Sequence, residues 1–342
     1  MQLTRFQAIT ARYPALRIAV VGDFCLDRYL EIDPAKPETS IETGLPVHNV
    51  VSVRSQPGAA GTVLNNLVAL GIGQVYPVGF CGADGEGFEL RRALLARRGV
   101  KLDGLIETEL RRTFTYCKPL VVQPGKAPVE LNRLDSKNWT PTPAVVQGLL
   151  LKKVHEMWDS VDAMILMDQV DIPETGVVTR KLLEAIRSLS EADPRLLVLA
   201  DSRRRLRDYP PVMFKMNATE LSALVGAKVP LSLEEISQAA AALAQRQGRA
   251  VFVTLAERGL LAAAPDGEVN HVPALPVRGE IDIVGAGDAV TANLTAALAA
   301  GATVKEASTI ANLAASIVLH QLGTTGTASV PEIASLLPDA PD

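Results

Sequence analysis

Asp282-Ile283-Val284-Gly285-Ala286-Gly287-Asp288-Ala289 opens a run of small residues, Ala289–Ala300, with helical spacing. A helix N-terminus presents unpaired backbone N–H groups and the positive end of the helix dipole. Gly285, Ala286 and Gly287 carry little or no side chain, so a phosphate can approach those N–H groups closely. Asp288 falls in the first turn, where the dipole favours an ionised carboxylate beside a bound anion. A hydroxyl between Asp288 and that phosphate would lose its proton to Asp288 as its oxygen attacks. The spacing equally suits a helix-capping acid after a glycine turn. It does not suit two other phosphate loops. Val290 stands where the dinucleotide fingerprint has its third glycine, and no GxxxxGK[ST] occurs in the chain.

Upstream of this stretch, short β-branched runs alternate with amphipathic ones. Ile18–Val21 ends in Gly22-Asp23, Met164–Met167 in Asp168, Leu196–Ala200 in Asp201 and Val251–Val253 in Thr254. Between them, residues 86–98, 173–189 and 233–247 space apolar residues three and four apart, which predicts helices. This alternation predicts an α/β fold, a doubly wound and mostly parallel sheet with helices on both faces. Polar residues at the C-terminal ends of its strands would face the ligand crevice. Residues 30–56 and 113–134 break the alternation and predict strands of a small β lid over that crevice. The alternative is two surface hairpins without a role. One domain over 1–342 is expected, with a frayed tail after Leu337.

Composition removes several classes of function. Hydrophobic residues make up 48 % and charged residues 21 %, the balance of a globular protein. A net charge of -4 gives no electrostatic case for nucleic acid or an anionic membrane as partner. Cys25, Cys81 and Cys117 lie far apart and outside any CxxC, which fits a reducing compartment without a metal cluster. His48, His155, His271 and His320 show no metal-ligand spacing. Arg5, Arg12 and Arg17 interrupt any signal-peptide pattern, and no window reaches the apolar length of a spanning helix. A cytoplasmic location is the expectation.

Asp-x-x-Gly-Ala-Gly-Asp at the start of a late helix resembles the C-terminal signature of the ribokinase-like (PfkB) carbohydrate kinases. The likeness extends to Val20-Val21-Gly22-Asp23 through Leu26-Asp27-Arg28-Tyr29, to Lys215-x-Asn217-x-x-Glu220, and to Val253-Thr254-Leu255-x-x-x-Gly259. It closes with Asn312 and Leu322-Gly323-Thr324. The opening and closing segments resemble the heptose-phosphate kinase domain of bifunctional ADP-heptose synthases, without the nucleotidyltransferase domain that follows there. The resemblance implies phosphoryl transfer from ATP to a sugar or sugar phosphate. Asp288 would then be the base, and Gly285, Ala286 and Gly287 the anion hole. Asn217 and Glu220 would organise Mg²⁺ through water, and Thr254, Gly259 and Asn312 would flank the nucleotide. Asp282 would help hold a monovalent cation such as K⁺. Asp27, Gly58, Ala59, Thr62 and Arg133 would line the sugar side, and the lid strands would serve a homodimer.

Read by themselves, Asn217 and Glu220 are also what a helix cap with a capping-box acid looks like. The run Arg203-Arg204-Arg205 with Arg207 suits a phosphate clamp or a solvated face. One departure from the family pattern bears on the acceptor. Where the family has two adjacent glycines and then an Asn, this chain reads Pro57-Gly58-Ala59-Ala60-Gly61-Thr62. A methyl at Ala59 and a shorter hydroxyl at Thr62 would alter the sugar pocket and leave the nucleotide side intact. A nucleoside kinase on the same fold, and a degenerate kinase acting as a ligand-binding regulator, are the competing readings.

Overall fold

Ile18 and Val20 point to one face of their strand and Ala19 and Val21 to the other, and all four are fully buried. A strand apolar on both faces must be covered on both. The computed structural model, which describes residues 1–203, 206–227, 230–323 and 325–337, places it inside a nine-stranded sheet, third from one edge. In spatial order the strands are Val269–Val272, Leu260–Ala263, Val251–Thr254, Met213–Asn217, Leu197–Ser202, Ala163–Asp168, Arg17–Gly22, Gln74–Gly82 and Leu105–Thr108. All neighbours run parallel except the Leu260–Ala263 and Val269–Val272 strands, which add antiparallel at one edge. Helices cover both faces. Leu64 and Leu67, Leu294 and Ile310 pack on one side; Val146 and Leu150, Leu182 and Ile186, Ile236 and Leu243 pack on the other. The architecture is the doubly wound, mostly parallel one that the alternation predicts.

Helix boundaries follow expectation except where other hydrogen bonds compete. The helix expected over 233–247 is Leu233–Gln247, closed by a Ser232–Glu235 capping box and by Gly248 in the left-handed region. The one expected over 86–98 runs Gly85–Leu95, started by the Asp84 carboxylate accepting from Gly87 N–H. The one expected from Pro173 begins only at Arg180, where Thr179 caps it. Its intended first turn is held otherwise: the Asp23 carboxylate accepts the Val177 N–H at 2.7 Å.

A second sheet grows directly from the first. The core strand stops at Gly22, and one residue later Phe24–Ile32 begins. Phe24–Ile32 pairs antiparallel with Val50–Ala59 and parallel with Phe114–Val121, which in turn pairs with Leu134–Ser136 and Val129–Glu130. The sheet thus starts at Phe24, before the expected 30. Inside 30–56, Glu38–Thr39 and Pro46–Val47 form a separate two-stranded ribbon. The chain's other passes between the sheets are stitched together. Arg111 donates to the Thr140 carbonyl at 2.8 Å and to the Pro141 carbonyl. The Asn138 side chain bonds both to the Arg112 N–H and to the Arg112 carbonyl. The tail after Leu337 lies outside the described residues.

Ala59 ends the Val50–Ala59 strand and caps the Ala60–Ala69 helix with φ 53 and ψ -118. That backbone suits glycine and strains any residue with a Cβ. Ala59→Gly should therefore raise stability by about 1 kcal/mol, after the extra chain entropy of glycine is set against the released strain. Urea unfolding of the two proteins measures the difference.

Candidate active site

Three strands deliver polar side chains to the same edge of the sheet: Asp201 near the end of Leu197–Ser202, Asn217 at the end of Met213–Asn217, and Thr254 at the end of Val251–Thr254. Facing them is the N-terminus of the Ala286–Ala299 helix, capped by Gly285 at φ 84. Thr325 lies against that turn, 3.4 Å from where a Gly285 Cβ would be. Asp288 occupies the first turn. From the second sheet comes Asp27, 7 % exposed, packed on Gly58 so closely that a Gly58 Cβ would sit 2.5 Å from its Oδ2. Glycine at 58 is thus a steric requirement of the Asp27 carboxyl.

The floor of this cleft is an ion pair. Lys215 Nζ lies 2.8 Å from Asp201 Oδ2, with both side chains buried. Burial alone would push the Lys215 pKa down, but the Asp201 carboxylate, with Asp288 and Glu220, more than offsets it and leaves it above the ordinary lysine value. The ammonium sits directly beneath the glycine turn, 3.2 Å from where a Gly287 Cβ would be. Asp288 keeps some solvent contact, yet its carboxyl is surrounded by protein. Burial pushes it up to about 7, Asp201 adds to the rise, and Lys215 and Arg203 oppose it. The helix dipole therefore does not hold Asp288 in the ordinary carboxylate range, because desolvation and a like charge outweigh it. Asp27 is also raised by burial, against the pull of Lys118, Arg133 and Arg203.

The remaining site candidates are placed as follows. Asn217 and Glu220 form a full capping box: Asn217 Oδ1 accepts the Glu220 N–H at 2.9 Å, and Glu220 Oε2 accepts the Asn217 N–H at 2.7 Å. Burial raises the Glu220 pKa. Asp282 accepts the N–H groups of Val284 and Gly323 at 3.0 and 3.2 Å, clamping two loops together. Gly259 holds φ 93, and a Cβ there would meet the Val272 carbonyl at 2.1 Å. The Asn312 amide donates to the Pro273 carbonyl at 2.8 Å. Thr62 is 1 % exposed in the Ala60–Ala69 helix. Arg133 pairs with Asp135 and lies over the Tyr116 ring at 5.2 Å. Arg204, Arg205 and Thr324 lie outside the described residues.

Two of the strand-end aspartates stay out of the cleft. Asp23 accepts the N–H groups of Gln169 and Val177, and Asp168 accepts from Ser202 and Tyr209; both are at most 2 % exposed. Sequence reasoning gave no role to Lys215 or Lys118. Lys215 stood inside a quoted motif, and its apolar neighbours Phe214 and Met216 were the available signal that it is buried. Among the described residues, no group of three or more His, Cys, Asp and Glu could hold a metal ion. No helix among them is long and apolar enough to cross a membrane.

The pfkB family carbohydrate kinase pattern matches residues 16–331. The chain belongs to the pfkB family of carbohydrate kinases. The family assignment makes this chain a sugar kinase. The bifunctional protein HldE of Paramagnetospirillum magneticum is 31 % identical over 94 % of this chain and 64 % of its own length. HldE of Gluconacetobacter diazotrophicus is 29 % identical over 94 % of this chain and 63 % of its own. The chain thus spans a little under two thirds of these relatives. Among solved structures, phosphofructokinase-2 of Escherichia coli in complex with potassium superposes with a TM-score of 0.71 at 19 % identity, covering 94 % of this chain and 98 % of that one. Ribokinase of Arabidopsis thaliana complexed with ribose and ATP gives 0.62 at 20 %, covering 95 % and 96 %. These two share the fold.

The Asp288 carboxyl links pH to stability with a definite sign. Its folded pKa lies above the ordinary carboxylate value, so the folded chain binds this proton more tightly than the unfolded chain. Stability contributed by that proton is present at about pH 4 and is lost as pH rises through about 7. Asp288→Asn should therefore melt higher than the unaltered protein at pH 8, and the gain should vanish toward pH 4. Thermal melts across that range test it.

Proposed function

We propose that this sugar kinase transfers the γ-phosphoryl group of ATP to a hydroxyl of a sugar phosphate, with Asp288 as base. The observation that carries the reading is the convergence of Asp27, from the second sheet, and Asp288, from the helix that starts at the glycine turn, on one buried cluster with Lys215 beneath that turn. In it, Asp27 holds acceptor hydroxyls and turns one of them toward Asp288. Asp288 takes the proton from that hydroxyl as its oxygen attacks phosphorus. The N–H groups of the Gly285–Gly287 turn receive the charge that develops on the transferred group. A carboxyl raised to about 7 suits such a base, since it is ionised just above neutrality yet holds the abstracted proton well.

Mg²⁺ would supply charge neutralisation between the phosphates. Each cap residue keeps one polar atom outside the capping box, Glu220 Oε1 and Asn217 Nδ2, which suits contact through water rather than a cage of protein ligands. Thr254, Gly259 and Asn312 stand on the nucleotide side, and the loops clamped by Asp282 suit a monovalent cation such as K⁺. Ala59 and Thr62 flank Gly58 on the acceptor side. The second sheet acts as the lid. Its edge strand Val50–Ala59 exposes Val51 and Val53 at 47 % and 49 %, which favours pairing with a second copy. The preference for a phosphorylated acceptor rests on Lys118, Arg133 and Arg203, all near enough to oppose protonation of Asp27.

An ADP-release assay over free sugars, sugar phosphates and nucleosides tests the proposal. Turnover confined to nucleosides would select the nucleoside kinase reading, and ligand binding without turnover would select the regulator. For the active enzyme, kcat should fall as pH drops below about 7. Asp288→Asn should lose roughly 10²–10⁴ in kcat while still binding ATP. In Arg133→Gln, KM for the phosphorylated acceptor should rise several-fold more than KM for the free sugar; an equal rise for both would remove Arg133 from phosphate recognition.

A further inference from the structure

One oxygen of Asp201 receives two donors from different elements. Its Oδ2 takes the Lys215 ammonium at 2.8 Å from the adjacent strand and the Thr291 hydroxyl at 2.9 Å from the helix that begins with the glycine turn. All three residues are buried, Thr291 completely. Thr291 Oγ1 also lies 3.1 Å from the carbonyl of Gly287, one turn earlier. The single hydroxyl proton thus faces a carboxylate on the sheet and a carbonyl of the turn itself, and the charged acceptor attracts it more strongly. One turn further along, Thr295 donates back to its own helix, to the Thr291 carbonyl.

The position of Thr291 on its helix gives this bond its leverage. At about 100° per residue, Asp288, Leu294 and Leu298 share a face of the helix with Thr291, whereas Ala289, Ala292 and Ala296 turn away from it. The distance of this polar tie from the chemistry is short, since Thr291 stands three residues after Asp288 and four after Gly287.

We propose that Thr291, acting through Asp201, is a positioning residue that fixes the first turn of the Ala286–Ala299 helix against the Asp201–Lys215 pair, so that the Gly285–Gly287 amides and Asp288 keep their places relative to the strand ends. This rests on the phosphoryl-transfer reading above for its effect on rate. The charged and titratable groups that face Asp288 are Asp201, Lys215, Arg203, Asp27 and Cys25, with Glu220 beyond Lys215. Of these, Asp201 is the one whose distance from Asp288 the tie sets directly.

Thr291→Val removes the hydroxyl and keeps the shape, while Thr291→Ser keeps the hydroxyl. The valine variant should lose about tenfold in kcat, the scale of a small misplacement of reacting groups, with KM for the acceptor little changed. Its acid limb in the kcat–pH profile should move toward lower pH, because Asp201 no longer holds its place beside Asp288. The serine variant should behave as the unaltered enzyme in both respects. Calorimetric titration with ATP and with ADP, each with Mg²⁺, reads the tie without catalysis: the advantage of ATP over ADP should shrink several-fold in the valine variant only. Matching behaviour of the two variants in rate, pH profile and titration would overturn the proposal. So would equal losses in both accompanied by equal falls in melting temperature, which would mean a packing role. An unaltered protein that turns over no sugar would overturn the functional reading instead, and the ATP–ADP comparison would still decide the tie.

Discussion

The buried pair of Asp201 and Lys215 is the constraint on which the rest of the cleft depends. Neither charge could be buried alone, since removing one partner of such a pair typically costs about 3–5 kcal/mol. Together they bind two adjacent strands to each other at the edge where the cleft opens. The pair also brings net neutrality to the floor, so that a further carboxyl, Asp288, can be enclosed above it. Asp288 answers to both members at once, one raising and one lowering its proton affinity. Its value near neutrality is the balance of a local charge set, in which burial is the largest contribution.

Much of the scaffold was readable because it follows from periodicity. Strands apolar on both faces, such as Ile18–Val21 and Met164–Met167, admit little besides a central place in a parallel sheet. The glycine turn before Asp288 was readable because residues with little or no side chain at a helix start leave its N–H groups open to close approach. What could not be read was tertiary competition. The segment after Pro173 has helical spacing, yet Asp23, 154 residues away, captures the Val177 amide and delays the helix to Arg180. Likewise the protonation of Asp288 depends on Asp201, Lys215 and Asp27, whose proximity no spacing reveals. The burial of Lys215 had a signal in Phe214 and Met216, but its counter-ion, on another strand, had none.

The departure at residues 58–62 takes on a different meaning in three dimensions. Gly58 is held by the Asp27 carboxyl, which leaves no room for a Cβ. Ala59 instead retains a glycine-like backbone while carrying a methyl group. The loop has therefore kept the shape that the paired glycines allow, and the altered residue stores strain within it rather than reshaping it. Gln56, three residues earlier, bonds the Thr325 hydroxyl at 2.9 Å, and Thr325 lies against Gly285. The turn at Gly58-Ala59 and the turn at Gly285 are thus joined by a short path.

The junction between the two sheets consists of a few short passes, and none of them is a free linker. The first turns at Asp23, whose carboxylate is bolted to Gln169 and Val177; others are stitched by Arg111 and Asn138. Local opening draws on regions with few buried contacts and exposed backbone. Here those are the ribbon at 38–47 and the turn near Gly125, not the junction. A protease should accordingly nick the outer rim of the second sheet and leave its roots intact. The nicked sheet would remain attached, and amide protons at the roots should exchange about as slowly as those of the central strands.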